Sequence, residues 1–238
     1  MKNQVIIYGK HAVLAALANP ERQISKLMCI RESLSEVKGK IADSKIVVVD
    51  RKEIDKLLPR EAVHQGLALF ADKLRGYAIE EVCALADEEG SGCVLILDQV
   101  TDPQNVGAIV RSCTAFGALA LIVQDKNSPE ESGALLKAAA GTYEFLPVCR
   151  VTNLSRTIDQ LKRAGFWAIG MDGSAKSTVD KLDKNGKLAI VMGSEGSGMR
   201  RLVEETCDMT VKLPISQRVE SLNVSTAAAI VLYEVSKK

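Results

Sequence analysis

The strongest constraint on this sequence is a series of apolar runs that alternates with helical patterns from residue 93 onwards. The runs CVLILD (93–98) and KLAIVM (187–192) contain only apolar residues between their first and last positions. A strand of this kind is buried on both faces, and helices on either side of the sheet supply the cover. The sequence therefore predicts an α/β fold with a parallel sheet.

Periodicity and turn residues divide this region into further elements. Helices are predicted over residues 105–116, 129–140, 154–164, 199–205 and 221–236. Besides the two runs above, strands are predicted over residues 119–123, 145–149, 166–170 and 209–213. Loops that follow parallel strands lie at the edge of the sheet where ligands bind in such folds, so we look there for a site.

A smaller α/β alternation precedes this region. Its predicted helices cover residues 10–18 and 51–58, and its predicted strands cover 26–30, 45–49 and 64–70. Residues 71–91 show a weaker pattern with a short helix over 79–86, and the stretch 76–97 carries five acidic and no basic side chains. We therefore expect a small domain over residues 1–72, an acidic linker over 73–91 and a larger domain over 92–238.

The charges of the chain are unevenly distributed. The formal net charge is +1, yet residues 1–75 carry 14 basic and nine acidic side chains, a net charge of +5. A basic excess on a small domain favours a nucleic-acid partner. Aromatic residues make up only 4% of the chain, which argues against binding by extensive base stacking.

Cysteine and histidine usage excludes several chemistries. The closest pair among the six cysteines, Cys83 and Cys93, is ten residues apart, so a CxxC zinc or redox pair is absent from the sequence. His11 and His64 are the two histidines, and a GxSxG motif is absent, which disfavours a zinc site and a Ser–His–Asp hydrolase. Neither a signal peptide nor an apolar run of membrane-spanning length is evident, so we expect a reduced, cytoplasmic protein without metal.

The first loop that could carry functional side chains follows the strand that ends at Asp98. The helix after it carries Asn105 and Arg111, whose spacing of six residues is expected to align them roughly on one face. Polar side chains there suit a binding site, since such loops often carry function. The alternative is a strand–helix turn with a solvated arginine.

The second loop is glycine-rich and lies in VMGSEGSGMRRL (191–202). Gly193, Gly196 and Gly198 allow the backbone to approach a ligand closely. Their spacing, GxxGxG, matches neither the dinucleotide fingerprint nor the phosphate-binding P-loop. Glu195 either caps the following helix or faces a substrate.

The third loop opens the segment LPISQRVESLNVSTAAAIVLYE (213–234). Ser221 and Asn223 stand at the head of an alanine-rich helix. Ser221 alternatively serves only as the N-cap of that helix, with Asn223 as a bystander. The small residues 227–229 are expected to pack closely against another backbone or a neighbouring subunit.

In this order the three segments resemble the signature motifs of the SpoU (TrmH-like) RNA ribose 2′-O-methyltransferases, within the SPOUT superfamily. The resemblance covers residues 93–238. The start IYGKHAVLAAL (7–17), with VHQG at 63–66, is similar to the small RNA-binding domain of the RlmB subgroup, which methylates a guanosine in the peptidyl-transferase loop of 23S rRNA.

The resemblance implies a fold beyond what short-range patterns indicate. The larger domain is expected to contain a deep trefoil knot and to work as a homodimer through its C-terminal helix. The small domain is expected to resemble ribosomal protein L30e and to bind RNA.

The resemblance also implies the ligands and the site. S-adenosylmethionine is the expected methyl donor, with no metal required. By carry-over, the donor contacts are Met192, Gly193, Gly198, Leu213, Ile215, Leu222 and Asn223. The catalytic group is expected to comprise Arg111, Asn105, Glu195, Ser221 and Asn223.

The family motif assigns Arg111 as the base or the orienter of the ribose hydroxyl. A guanidinium stays protonated in water, so we expect a role in positioning the hydroxyl and neutralising phosphate charge. Two alternatives remain at this stage. The substrate is another rRNA or tRNA ribose, or the chain is a non-catalytic RNA-binding assembly factor that has kept the fold.

Overall fold

The computed structural model describes residues 3–216 and 218–237. The chain divides into two compact units. Unit 1 comprises Met1–Arg75 and Glu130–Glu144, and unit 2 comprises Gly76–Pro129 and Phe145–Lys238. Residues 130–144 leave the predicted larger domain and complete the smaller unit.

The elements are numbered in chain order. The strands are β1 (Gln4–Tyr8), β2 (Ile24–Cys29), β3 (Ile46–Val48), β4 (Leu67–Asp72), β5 (Gly92–Leu97), β6 (Ala120–Gln124), β7 (Val148–Val151), β8 (Phe166–Met171), β9 (Ser177–Thr178), β10 (Lys187–Met192) and β11 (Met209–Lys212). The helices are α1 (Lys10–Ala18), α2 (Leu34–Val37), α3 (Arg51–Asp55), α4 (Ile79–Glu89), α5 (Pro103–Ala115), α6 (Gly133–Ala138), α7 (Leu154–Arg163), α8 (Arg201–Thr206) and α9 (Val224–Ser236).

Unit 1 is built on a four-stranded mixed sheet in the order β1-β4-β2-β3. The strand β1, which the sequence analysis does not predict, pairs antiparallel with β4. The strand β4 begins later than predicted because residues 65 and 66 form a turn with positive φ angles. His64 stabilises this turn, since its Nδ1 accepts a hydrogen bond from the Gly66 amide at 3.1 Å.

A buried ion cluster attaches residues 130–144 to the rest of unit 1. The side chain of Arg22 is fully buried and bonds Glu131 at 2.5 Å and Glu144 at 2.6 Å. Its guanidinium also donates to the Asp72 carbonyl at 2.9 Å. Burial raises the pKa of Glu131, and the charge of Arg22 opposes that rise. The cluster therefore joins β4, the start of β2 and the inserted segment around one cation.

Unit 2 contains a parallel sheet of seven strands in the order β7-β6-β5-β10-β8-β11-β9. The predicted parallel α/β fold is therefore confirmed. The late strand β10 lies between the earlier strands β5 and β8, and this break in the strand order is a topological switch point. The carboxyl ends of β5, β10, β8 and β11 come together there.

The predicted acidic linker contains a helix that packs into the core of unit 2. Ile79, Val82 and Ala86 of α4 are buried among the strands of the sheet. Its acidic residues lie on the outer face or at the N-terminus, where Glu81 bonds the Ala78 amide at 2.8 Å. The apolar face of α4 therefore makes this segment part of unit 2, although its charge favours a linker.

Several helices and strands begin or end at other residues than the sequence predicts. The helix predicted over 129–140 is shortened to α6, which starts after its N-cap Ser132. The strand predicted over 145–149 is displaced to β7, and the last helix starts at Val224. Over residues 3–216 and 218–237, the structure contains no helix long and apolar enough to cross a membrane.

Replacing Arg22 by Met tests the buried cluster. Removing one partner of a buried ion pair costs about 3–5 kcal/mol, because the remaining carboxylates stay buried without compensation. We expect the first unfolding transition in urea, followed by circular dichroism, to move to clearly lower denaturant concentration.

The matched control is Lys73→Met. Lys73 pairs with Glu130, whose side chain is 77% exposed, so the loss is expected to stay below about 1 kcal/mol. Equal shifts for the two variants would contradict the role assigned to the cluster.

Candidate active site

A cavity opens at the carboxyl ends of β8, β10 and β11. It encloses about 470 Å³, which lies within the usual range for small-molecule sites. Its lining comes from residues 171–173 and 192–199, from 212, 213, 215 and 220–222, and from the first turns of α8 and α9. The position agrees with the rule that parallel sheets bind ligands where the strand order breaks.

Glycines shape the loop over residues 193–199. The backbone of Ser194 pairs with that of Gly198 in both directions, at 3.1 and 3.0 Å, so the loop folds back on itself. A Cβ atom on Gly193 would lie 2.1 Å from the carbonyl carbon of Gly198, which leaves no room for any side chain. Gly196 and Gly198 have φ angles of 82° and 66°, which favour glycine.

One carboxylate oxygen joins the three motif segments. Oε1 of Glu195 accepts hydrogen bonds from Nδ2 of Asn223 at 2.7 Å, from the Val224 amide at 3.0 Å and from Nδ2 of Asn105 at 3.4 Å. Nδ2 of Asn223 also donates to Oδ1 of Asn105 at 2.9 Å. Asn105, Glu195 and Asn223 thus form a connected polar cluster, and Glu195 lines the cavity.

Asn223, and not Ser221, is the N-cap of α9. Its Oδ1 accepts from the amides of Ser225 at 2.9 Å and Thr226 at 3.4 Å. The side chain of Asn223 therefore fixes the start of α9 and reaches the polar cluster with its other end. The interpretation of Ser221 as the cap is wrong, and Ser221 lines the cavity instead.

Arg111 lies apart from this cluster. Its side chain is exposed, and the structure gives it no hydrogen bond or ion pair with residues 3–216 or 218–237. The expected alignment with Asn105 is wrong, because six residues at about 100° each place the two side chains about 120° apart around the helix. The guanidinium is therefore available to a ligand outside the cavity.

The predicted donor contacts are close to one another in space. Six of them line the cavity: Met192, Gly193, Gly198, Leu213, Ile215 and Leu222. Asn223, the seventh, bonds Glu195 at the cavity wall. The sequence analysis missed three residues at the carboxyl end of β8 that also line the cavity: Met171, Asp172 and Gly173. The polar sequence MDGS (171–174), directly after the strand predicted over 166–170, could have indicated that this loop belongs to the site.

The lining combines apolar walls with negative charge. Met192, Leu213, Ile215 and Leu222 suit a flat apolar group such as adenine. In the described part of the chain, four carboxylates line the same cavity against one cation, Lys212, and this excess favours a ligand with positive charge; they belong to Asp172, Glu195, Glu204 and Glu220. These residues fit S-adenosylmethionine, whose adenine is flat and whose sulfonium and ammonium groups are cationic.

Two other kinds of site, a reactive thiol and a metal centre, are not supported by the described residues of the chain. Burial raises the pKa of Cys93 and of Cys207 to about 12 and that of Cys149 to about 11, so they are protonated and weak nucleophiles at neutral pH. Among the described residues, no three His, Cys, Asp or Glu side chains are grouped to hold a metal ion.

Comparison with known families gives two matches that together span most of the chain. The SpoU rRNA Methylase family matches residues 92–233. The family described as RNA 2′-O ribose methyltransferase substrate binding matches residues 6–77.

Individual relatives cover nearly the whole chain. The 23S rRNA (guanosine-2′-O-)-methyltransferase RlmB of Coxiella burnetii is 38% identical over 240 residues, which cover 98% of this chain and 95% of the relative. The SpoU methyltransferase AviRb of Streptomyces viridochromogenes, solved in complex with the cofactor AdoMet, superposes with a TM-score of 0.83 at 19% identity and covers 99% of this chain and 90% of AviRb. The AdoMet-bound rRNA methyltransferase of Sinorhizobium meliloti gives a TM-score of 0.80 at 21% identity, covering 98% and 87% of the two chains.

Gly193→Ala tests the packing of the loop. The added methyl group would collide with the Gly198–Met199 backbone, so the loop must open and the cavity must lose its shape. We expect the affinity for S-adenosylmethionine, measured by calorimetry, to fall by more than about tenfold, or about 1.4 kcal/mol.

Gly76→Ala is the matched control, because its added Cβ would meet only the Val148 carbonyl at 3.8 Å. Its affinity is expected to equal that of the unmodified protein. Unchanged affinity in Gly193→Ala would show that the loop does not shape the donor site.

Proposed function

Since the chain belongs to the SpoU rRNA methylase family and is an RNA methyltransferase that uses S-adenosylmethionine, we propose that it methylates the ribose 2′-hydroxyl of a guanosine in the peptidyl-transferase loop of 23S rRNA. The name of the Coxiella burnetii relative supports both the rRNA substrate and the guanosine target. The observation that carries the proposal is the Asn105–Glu195–Asn223 cluster at the wall of the cavity, because it unites the three motifs of a methyltransferase.

The bound donor supplies a methyl group that its sulfonium already activates. The protein must therefore bind the donor, align the ribose hydroxyl with the methyl group and assist loss of the hydroxyl proton. The apolar walls hold the adenine, and the carboxylates of the lining stabilise the positive charge of the donor. This division assigns binding to the cavity and orientation to the polar cluster.

We assign Glu195 to orientation. Its Oε1 already accepts three hydrogen bonds, which come from the other two motif segments. A carboxylate held in this way is a rigid anchor. Glu195 would therefore hold Asn105 and Asn223 in fixed positions beside the ribose, and Ser221 would border the same space.

We assign Arg111 to the RNA. An exposed guanidinium without a protein partner among the described residues is free to bind phosphate or the 2′-oxygen. It stays protonated in water, so electrostatic stabilisation is the role that its chemistry supports. Arg111 is not among the residues that line the cavity, which supports a contact to the nucleotide rather than to the donor.

Unit 1 is proposed to bind the rRNA substrate. The match to a substrate-binding family supports this role. The charge supports it as well, although residues 130–144 add three carboxylates and one lysine and so reduce the net charge of the unit to +3. Two of those carboxylates neutralise the buried Arg22, and the remaining basic side chains are largely exposed.

We further propose that unit 2 contains a trefoil knot and forms a homodimer. A cytoplasmic location is proposed as well, because it agrees with an rRNA substrate. The insertion of β10 between β5 and β8 supports a chain that crosses itself. The exposed side chains of Ile230 and Tyr233 on α9 support a helix that packs against a second copy.

The experiment that tests this function is methyl transfer from labelled S-adenosylmethionine to unmodified 23S rRNA and, separately, to unmodified tRNA. We expect label in the rRNA, on the 2′-oxygen of a guanosine in the peptidyl-transferase loop. Label in tRNA alone would contradict the proposed substrate while keeping the chemistry. Donor binding without label in either RNA, or in ribosome assembly intermediates, would favour a non-catalytic assembly factor.

Arg111→Ala tests the role of the exposed arginine. Removing one group that stabilises charge in a transition state typically costs about 10²–10³-fold in rate, and we expect a fall of that size in methyl transfer. Because Arg111 does not line the cavity, the affinity for S-adenosylmethionine is expected to stay within about twofold.

Arg163→Ala is the control, since Arg163 is an exposed arginine on α7 in the same unit. Its transfer rate is expected to stay close to that of the unmodified protein. A loss of donor affinity in Arg111→Ala comparable to its loss of rate would refute the assignment.

A further inference from the structure

A fully buried carboxylate lies beside the site without lining the cavity. Asp98 follows β5 directly and has no exposed surface. Its Oδ2 accepts a hydrogen bond from the Arg200 amide at 2.8 Å, and its Oδ1 accepts one from Nε of the same residue at 2.8 Å. Nη2 of Arg200 also lies 2.8 Å from Oδ1, so one residue compensates the buried charge through its backbone and its side chain.

The position of this pair in the chain links two loops. Arg200 comes immediately after the loop 193–199 and stands at the N-cap of α8. Asp98 precedes Gln99, a non-glycine residue with a φ angle of 60°, at the start of the loop that leads to Asn105. The Asp98 amide also donates to the Met192 carbonyl at 2.8 Å, at the other end of the glycine loop. One residue therefore contacts the loop where it leaves the sheet and where it returns.

A third strand end supports the arginine. Nη2 of Arg200 donates to Oε1 of Gln124 at 3.1 Å, and Gln124 is buried at the end of β6. The guanidinium is thus held by groups from two neighbouring strands, which fixes its plane. A lysine has no equivalent of this fork, because its ammonium is a single point charge.

The free energy of this contact depends on both partners. A buried carboxylate is costly unless it is paired and hydrogen-bonded, and breaking a buried pair by removing one partner is strongly destabilising. The glycine loop, in contrast, contains three glycines, and between its ends it is held by the Ser194–Gly198 pairing and by the hydrogen bonds of Glu195. Without the Arg200 side chain, the end of the loop that returns to the sheet loses its ion pair with Asp98, and the glycines allow other conformations there.

We propose that Asp98 and Arg200 are positioning residues for the methyl donor, holding both ends of the loop 193–199 so that the cavity keeps its shape before the donor binds. Neither residue lines the cavity. The inference rests on the proposed function only through its ligand, S-adenosylmethionine.

Three variants test the pair in the full-length protein. Asp98→Asn keeps the shape but replaces one acceptor oxygen by an amide group that cannot accept from Arg200. Arg200→Ala removes the guanidinium and keeps the backbone amide. Arg200→Lys keeps the charge without the planar fork. The control is Arg201→Ala, because the neighbouring Arg201 has an 88% exposed side chain and pairs with Glu205 one turn further along α8.

The expected result is a specific loss of donor binding. Calorimetry should give a Kd for S-adenosylmethionine raised at least about tenfold in Asp98→Asn and Arg200→Ala, with Arg200→Lys in between and Arg201→Ala unchanged. In transfer assays, the KM for the donor should rise while the KM for RNA stays constant, and saturating donor should restore most of kcat. The double variant Asp98→Asn/Arg200→Ala should bind S-adenosylmethionine with the same Kd as the single variant that binds it less tightly, since the two residues act through one contact.

Other outcomes would overturn the inference. A lower melting temperature with unchanged donor affinity would leave the pair a purely structural role, and equal effects of Arg201→Ala would make the loss unspecific. If Asp98→Asn does not fold, Arg200→Lys and Arg200→Ala decide the question, because both keep the backbone contact to Asp98. Donor binding is measured without RNA, so a failure of the proposed rRNA substrate would appear separately, as absent transfer with intact binding.

Discussion

The parallel pairing of β5 with β10 is the constraint on which the site depends. The register opposes Leu97 to Met192, so that both strands end at the same level. Asp98 and Gly193 therefore begin their loops side by side, and the two apolar runs that define the sheet also determine where polar residues meet. A shift by one residue would separate the Asp98 amide from the Met192 carbonyl and would move Glu195 away from Asn105.

The sequence predicted this arrangement as far as it depends on strand ends. Each apolar run ends at a motif, and parallel strands place such ends together, so a site formed by the loops after Asp98, Met192 and Lys212 was foreseeable. The partners within the site were not, because Asn105 lies 90 residues before Glu195 and 118 before Asn223, and short-range patterns carry no information on such separations. Ser221 and Asn223 are both good caps, and only the backbone shows which one caps α9.

Predictions failed where a local signal was weak or was outweighed by another. The helix α4 was predicted but was placed in a linker, because its five carboxylates outweighed the apolar spacing of Ile79, Val82 and Ala86. The alignment of Asn105 with Arg111 failed on helical geometry, since residues seven apart would share a face better than residues six apart. The membership of residues 130–144 in unit 1 had no local signal, because it depends on Glu131 and Glu144 reaching an arginine more than one hundred residues earlier.

The buried Arg22 cluster determines how the two activities of this chain can be separated experimentally. A fragment that starts near residue 91 would keep Glu131 and Glu144 but lose their cation, and it would expose the apolar side chains of Leu135 and Leu136 that unit 1 buries. A fragment that ends near residue 75 would in turn leave Arg22 buried without a counter-charge. Loss of methylation by either fragment could therefore result from misfolding as well as from loss of RNA binding. Substitutions of exposed side chains in the full-length chain distinguish RNA binding from catalysis better.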